Sequence, residues 1–133
     1  MPVDQSLVGR AFPPTQPHEV TEAGVREFAA ATAGAYDGGA APATYPIVVA
    51  FDAMNAFLEA VSVDLFRIVH GEQRFAYERP VVPGDVLTAT LTVTSLRQIS
   101  GNDIIGTTSE ITDSAGALVC TTSATLVHRG ATA

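Results

Sequence analysis

The hydrophobic pattern changes once along this sequence, and that change constrains the fold more than any other feature. Between about residues 46 and 61 apolar residues recur with the spacing of a helix, whereas from Val69 to Val127 they alternate with polar residues. Helical spacing indicates a buried helix, and a period of two indicates strands with one buried face. The sequence therefore predicts an α+β fold in which helices precede a sheet.

Two helices are expected before the sheet. Thr21 is a suitable N-cap for the first helix, and Gly34 is a suitable end for it. Pro46 fits the first position of the second helix, which continues to about Val61, because proline has no N–H to leave unpaired there. The segment between them, residues 33–43, is rich in Ala and Gly and predicts a loop. Because apolar residues cover most of the second helix, we expect the sheet to enclose it.

Four strands are expected after the second helix, in an antiparallel meander. Their predicted bounds are Val69–Tyr77, Val86–Leu96, Ile104–Thr112 and Leu118–Val127. A short strand near the N-terminus, at Gly9–Phe12 or His18–Val20, is also expected. One sheet with so large an apolar face can cover that face by curling around the second helix.

Alternation also predicts which side chains share a face. The strand Val86–Leu96 presents four apolar residues to the core, namely Leu87, Ala89, Leu91 and Val93. In the strand Val69–Tyr77, the same rule places one set of residues on the core face, namely Val69, Gly71, Gln73, Phe75 and Tyr77. It places His70, Glu72 and Arg74 on the opposite face.

Composition limits the function. A chain of 133 residues, 47% of them hydrophobic, is expected to form a single domain over residues 1–133. With 7 basic and 14 acidic side chains it offers no basic stripe for nucleic acid. The most apolar window, residues 47–60, contains charged residues and is too short to span a bilayer. A single cysteine, Cys120, and the absence of a signal-peptide pattern favour a cytoplasmic location.

Two sequence runs carry a resemblance to a known family. Pro42–Pro46 leads into the second helix, and the run VHGEQRFAYERP from Val69 to Pro80 is followed by Pro83-Gly84-Asp85. With the order of elements, these runs resemble the MaoC-like hotdog superfamily, and within it the N-terminal type of dehydratase domain of actinobacterial (3R)-hydroxyacyl-ACP dehydratases. The resemblance implies a hotdog fold, in which a curved antiparallel sheet wraps around a long central helix. It also implies a dimer formed across Val69–Tyr77, with a tunnel between subunits for an acyl thioester of CoA or acyl carrier protein.

The sequence departs from this family where catalysis takes place. Active members carry Asp-x-Asn-Pro-x-His ahead of the central helix, but the corresponding loop here contains one carboxylate, Asp37, and no His or Asn. Active members also use a backbone N–H at the start of that helix as an oxyanion donor, whereas Pro46 has none. The resemblance therefore implies a non-catalytic chain that forms a homodimer, or a heterodimer with a catalytic MaoC-like subunit.

Three residues remain weak candidates for catalysis. Asp37 could act as a lone acid, although a residue in a Gly-rich loop is usually only solvated. His70 beside Glu72 could be a base held by a carboxylate, although such a row is more often a charged strand face. On the predicted register, His70 points away from the core face and is not expected to be a general base.

Substrate-binding residues are expected at the helix entry and on the strand after it. Tyr45, Pro46, Gly71 and Gln73 are the predicted tunnel residues, although helix–sheet packing explains the last two equally well. The three histidines have no metal-ligand spacing, and no Gly-rich phosphate loop follows a strand, so neither a metal nor a cofactor is expected.

The sequence leaves two other functions open. The chain could be an enzyme by itself, either a hotdog thioesterase that activates water with Asp37 or Glu72 or a hydratase with displaced catalytic residues. It could also be an acyl-chain-binding homodimer without chemistry. A carboxylate that points into the tunnel beside the helix N-terminus would favour the enzyme, and a purely apolar tunnel would favour the binding protein.

Overall fold

A computed structural model describes residues 5–32, 34, 36–63 and 67–129. Residues 33 and 35 of the predicted loop, and residues 64–66 ahead of the first long strand, lie outside these ranges. Within them the helices are α1 (Glu22–Ala31) and α2 (Ile47–Ala60). The strands are β1 (His18–Glu19), β2 (Ile68–Tyr77), β3 (Val86–Ile99), β4 (Asn102–Thr112) and β5 (Leu118–His128). Neither helix is long and apolar enough to cross a membrane.

The strands form one antiparallel sheet in the order β1-β3-β4-β5-β2. β3, β4 and β5 form the expected meander, but the prediction that β2 continues it is wrong. β2 pairs with β5 rather than with β3, because after Tyr77 the chain crosses toward the other edge of the sheet before β3 begins. β2 therefore lies at an edge of the sheet, and α2 packs over β3 and β4 on the inner face.

Local sequence signals account for where the helices begin. The Thr21 side chain accepts a hydrogen bond from the Gly24 N–H at 3.0 Å, which caps α1 as predicted. Pro46 is the N-cap of α2 and lies one position before the predicted one. The sheet curls around the inner side of α2, and the outer side of this helix is open in the single chain. Phe51 on its outer side is 40% exposed, whereas Phe57 on its inner side is fully buried.

The inner face of β3 follows its predicted alternation. Leu87, Ala89, Leu91 and Val93 are all buried, and they belong to one core cluster together with residues of α2. Phe12 from the N-terminal segment joins this cluster, with its ring centroid 5.0 Å from that of Phe57 in an edge-on contact. The largest apolar side chains are thus held between α2 and the centre of the sheet.

β2 departs from strict alternation at Gly71. His70 pairs with Leu126 and Glu72 pairs with Thr125, so Gly71 is an extra residue, a β-bulge, in this strand. Because paired residues of antiparallel strands share a face, His70 lies on the inner face with Gln73 and Phe75. Val69 and Glu72 lie on the outer face. The predicted face was therefore wrong for Val69 and His70.

An ion-pair network fixes the end of β2 to the start of β3. The Arg79 guanidinium donates to both Asp85 carboxylate oxygens at 2.9 and 3.1 Å, and to Asp113 at 3.3 Å. Asp113 also accepts hydrogen bonds from the N–H groups of Ala115 and Ala117 in the β4–β5 turn. The run from Arg79 to Asp85 thus has a structural role, because its ion pairs join the end of β2, the start of β3 and the β4–β5 turn.

Candidate functional site

A cleft lies between α2 and the inner face of the sheet, and we call it the helix–sheet cleft. The helix contributes Ile47, Ala50, Phe51 and Met54, and the sheet contributes His70, Gln73, Leu91, Thr107, Ser109, Thr122 and Ala124. In a single chain the cleft encloses about 10 Å³, which is room for about one water molecule. It is therefore too small for an acyl chain unless it opens.

His70 and Gln73 form a hydrogen-bonded pair at the edge of this cleft. His70 Nε2 lies 2.9 Å from Gln73 Oε1. Because a carboxamide oxygen only accepts hydrogen bonds, His70 Nε2 is the donor in this contact and Nδ1 takes no part in it. The Gln73 amide also donates to the Arg74 carbonyl at 3.3 Å. The bulge at Gly71 thus brings together His70 and Gln73, which the predicted register had separated.

The start of α2 has no free donor in its first turn. The N–H groups of residues 47, 48 and 49 donate to the carbonyls of Thr44, Tyr45 and Pro46 at 3.0 to 3.1 Å, and the N–H of residue 50 also donates to Pro46. An oxyanion site needs backbone N–H groups that point at the substrate. At this helix terminus the turn formed by residues 44–46 uses all of them.

Tyr45 and Pro46 are buried rather than open to the helix–sheet cleft. The Tyr45 hydroxyl lies 2.9 Å from His18 Nε2, and its ring meets Phe28 edge-on at 5.4 Å between centroids. Burial raises the pKa of Tyr45 above its ordinary value. Neither residue lines the cleft, so their assignment to an acyl tunnel stays a prediction.

The two candidate carboxylates are both exposed. Asp37 lies in the loop beside Gly38 and Gly39, whose φ angles of 95° suit a tight turn. Glu72 points from the outer face and forms an ion pair of 3.0 Å with Arg74. Neither lines the helix–sheet cleft, so their catalytic roles stay predictions. In the part of the chain that the structure describes, no three His, Cys, Asp or Glu side chains form a group that could hold a metal ion.

A second cavity of about 380 Å³ lies near the start of α2 and the end of β2. It is lined by Ala41, Ala43, Tyr77, Glu78, Arg79, Pro80 and Val81. The Tyr77 hydroxyl donates a hydrogen bond to the Ala43 carbonyl, which ties β2 to the loop ahead of α2. Burial, together with the nearby Cys120 thiol, raises the pKa of Tyr77 to about 12. Tyr77 is therefore a neutral hydrogen-bond donor at physiological pH.

Sequence reasoning missed three hydroxyl residues of the helix–sheet cleft, Thr107, Ser109 and Thr122. A signal was available. Counting every second residue along β4 and β5 puts these polar residues on the same inner face as Ile105, Ile111 and Ala124. A polar residue at a core position needs a hydrogen-bond partner and is a reason to look for a site.

Comparisons with known proteins agree with this architecture. The family model described as FAS1-like, dehydratase domain region, matches residues 21–122. The UPF0336 protein of Streptomyces avermitilis is 40% identical, with 98% of each chain covered. The UPF0336 protein of Saccharopolyspora erythraea is 38% identical, with 98% of this chain and 94% of the relative covered.

Solved structures that resemble this chain are also dehydratases. The C-terminally truncated HadBC (3R-hydroxyacyl-ACP dehydratase) complex from Mycobacterium tuberculosis superposes with a TM-score of 0.81 at 28% identity, covering 91% of this chain and 96% of that one. A MaoC-like dehydratase superposes with a TM-score of 0.79 at 32% identity, covering 96% of this chain and 43% of that one. The fold is a MaoC-like hotdog fold, which confirms the predicted class. The chain belongs to the FAS1-like dehydratase domain region family.

Proposed function

We propose that this chain is a non-catalytic acyl-thioester-binding subunit of a (3R)-3-hydroxyacyl dehydratase, the enzyme that also hydrates the enoyl thioester. The family match and the structural similarity to the HadBC (3R-hydroxyacyl-ACP dehydratase) complex support the reaction class. The observation that carries the non-catalytic assignment is the start of α2, where the N–H groups of residues 47–50 all donate to backbone carbonyls.

Acid–base chemistry gives a second reason. Adding or removing water requires a general acid and a general base within reach of one substrate, each contributing about a hundred- to ten-thousand-fold. In the described chain the lining of the helix–sheet cleft contains no carboxylate, and His70 is its one titratable side chain. A chain with this lining would bind the acyl group while another subunit supplies the acid and the base.

The edge strand β2 supports pairing with a second hotdog chain. An unpaired edge exposes backbone N–H and C=O groups that favour association with another strand. Two apolar side chains of β2 are exposed: Val69 on its outer face is 49% exposed, and Tyr77 at its end is 37% exposed. Phe51 of α2 is also exposed, beside the opening of the cleft. A homologous chain, or a second copy of this one, would cover these groups and extend the cleft into a tunnel. The occupant is an acyl thioester of CoA or acyl carrier protein.

The cytoplasm is the compartment that we propose for this subunit. Cys120 is buried and has a free thiol, and burial raises its pKa above the ordinary value. A thiol in this state is stable in a reducing compartment.

One observation favours a second candidate function. Because the bulge turns His70 toward the helix–sheet cleft, its free Nδ1 could activate water in a hydratase or thioesterase that acts without a partner. His70 has no carboxylate partner among the described residues, so this candidate has weaker support than a binding subunit.

The test is an assay of crotonyl-CoA and a longer enoyl-CoA with the purified chain alone, and again after co-expression with a protein that carries Asp-x-Asn-Pro-x-His. We expect turnover only with the mixed complex, and sedimentation should show a dimer or larger. Turnover by the chain alone that His70→Ala abolishes, with folding unchanged, would establish the second candidate. Turnover by the chain alone that survives this change would overturn both assignments.

A further inference from the structure

The floor of the helix–sheet cleft contains three hydroxyl groups at core positions. Thr107 and Ser109 in β4 are each 4% exposed, and Thr122 in β5 is 2% exposed. Ser109 and Thr122 are cross-strand partners, and Thr107 pairs with Ala124, which in turn pairs with Gln73. The three hydroxyls therefore form a compact polar group on the inner face, next to Gln73.

These hydroxyls open into the cleft rather than into the core. Within the described residues, none of the side-chain hydrogen bonds involves Thr107, Ser109 or Thr122, and no side-chain oxygen is both fully buried and unpartnered. All three residues line the cleft. Their hydroxyls consequently face its small free volume, where a polar atom of another molecule can reach them.

A group of this kind has a cost for folding. Each hydroxyl that is removed from bulk water without a partner lowers stability, so chains that need only a packed core place valine or alanine at such positions. Three such groups around one space of water size indicate a binding function rather than packing.

We propose that Thr107, Ser109 and Thr122 form a subsite for an oxygen substituent, a hydroxyl or a keto group, on the acyl chain of the thioester. The proposal rests on the proposed function, because it needs an acyl group in the cleft. A hydroxyl side chain both donates and accepts, so the subsite takes either kind of oxygen. A plain alkyl chain would leave the hydroxyls without water and without a partner, so the subsite disfavours it.

The first arm of the test measures binding by calorimetry to the assembled dimer, co-expressed with a partner whose catalytic Asp and His are replaced by Asn and Ala. The probes are decanoyl-CoA, 3-hydroxydecanoyl-CoA and 5-hydroxydecanoyl-CoA, which separate the oxygen at C3 from one further along the chain. We expect at least one hydroxylated thioester to bind more tightly than decanoyl-CoA. Thr107→Val and Thr122→Val should each weaken that probe by about three- to ten-fold and leave decanoyl-CoA unchanged or slightly tighter.

The second arm needs no ligand. Thr107→Val and Thr122→Val should raise Tm by about 2–4 °C, because they remove a hydroxyl that has no partner in the protein. Thr108→Val is the matched control, since Thr108 is the adjacent residue on the outer face of the same strand. This control should leave the preference among the three thioesters unchanged.

The outcomes separate the two proposals. If none of the thioesters binds, the proposed function fails and the subsite fails with it. If decanoyl-CoA binds and the hydroxylated probes bind no better, the subsite holds a water molecule at most and only the present inference is overturned. A fall in Tm for both valine variants would mean that the hydroxyls stabilise the fold, and this would also overturn it.

Discussion

β2 and β3 both contain a bulge, yet the sequence predicted the inward residues of one strand and not of the other. In β3 the extra residue is Thr94, which follows the last of the four predicted core residues, Leu87, Ala89, Leu91 and Val93. In β2 the extra residue is Gly71, near the start of the strand. The first bulge follows those four residues and brings Leu96 to the inner face, whereas the second brings His70 to the helix–sheet cleft.

The difference follows from how strongly each strand distinguishes its two faces. In β3, fully buried residues alternate with half-buried threonines, so a one-residue slip would expose Leu87 and Leu91. β2 is an edge strand that is exposed or half-exposed on both faces, so its composition hardly specifies the register. A bulge is tolerated where neither face is strongly apolar, and such strands are suited to form sites.

The largest effect is expected in the core of β3. Leu87→Ala should lower the free energy of unfolding by about 2–5 kcal/mol, because Leu87 is fully buried and the change leaves a cavity. Val69→Ala is the comparison in β2, and this exposed position should cost less than about 0.5 kcal/mol in the free chain. Urea denaturation of both variants measures the contrast. Equal losses would mean that the two strands do not differ in burial.

The next largest effect is expected from shortening the regular part of β2. Deleting Arg74, which pairs with Ser123, places Gln73 directly before Phe75, so Gln73 must move to the outer face and the free energy of unfolding should fall by about 1–3 kcal/mol. Deleting Gly71 is the comparison and should cost less. Because Gly71 is the extra residue, its removal leaves His70 opposite Leu126, so nuclear Overhauser contacts between the His70 ring and the Met54 methyl group should persist. Loss of those contacts without Gly71 would contradict the bulge.

The same contrast separates what the sequence predicts from what it does not. The cap at Thr21, the bounds of the long strands and the inner face of β3 depend on local patterns of several residues. The partner of β2, the face of His70 and the clustering of Thr107, Ser109 and Thr122 depend on pairing between distant segments. A period-two pattern has no information about one inserted residue, so the site was less predictable than the core.

Acid should weaken the link between the end of β2 and the start of β3. Burial acts to raise the pKa of Asp85, but hydrogen bonds from Arg79 and the Val82 N–H outweigh it and hold the pKa below its ordinary value. A lowered folded-state pKa contributes stability above the unfolded value of about 3.9, and this contribution is lost as pH falls below it.

Asp85→Asn tests this link. At pH 7 the variant should be about 1 kcal/mol less stable than the unchanged chain, since Arg79 is partly exposed to solvent. The difference should shrink below about pH 4, where the unchanged chain also loses the ion pair. Asp37→Asn in the exposed loop is the control and should give no such pH dependence. A difference that stays constant down to pH 2.5 would mean that the ion pair does not depend on the Asp85 charge.

The smallest effect on stability is expected on the outer face of β2, where it tests the register most directly. Glu72→Ala removes an exposed ion pair with Arg74, so the free energy of unfolding should change by less than about 0.5 kcal/mol. Acyl-thioester binding should not change either, because Glu72 points away from the cleft. His70→Ala is equally mild for stability, but it removes the hydrogen bond to Gln73 on the cleft side and should weaken acyl binding by about two- to ten-fold. Calorimetry with decanoyl-CoA on both variants decides the matter. If neither change weakened binding, His70 would lie on the outer face with Glu72, strict alternation would hold in β2, and the bulge at Gly71 would be wrong.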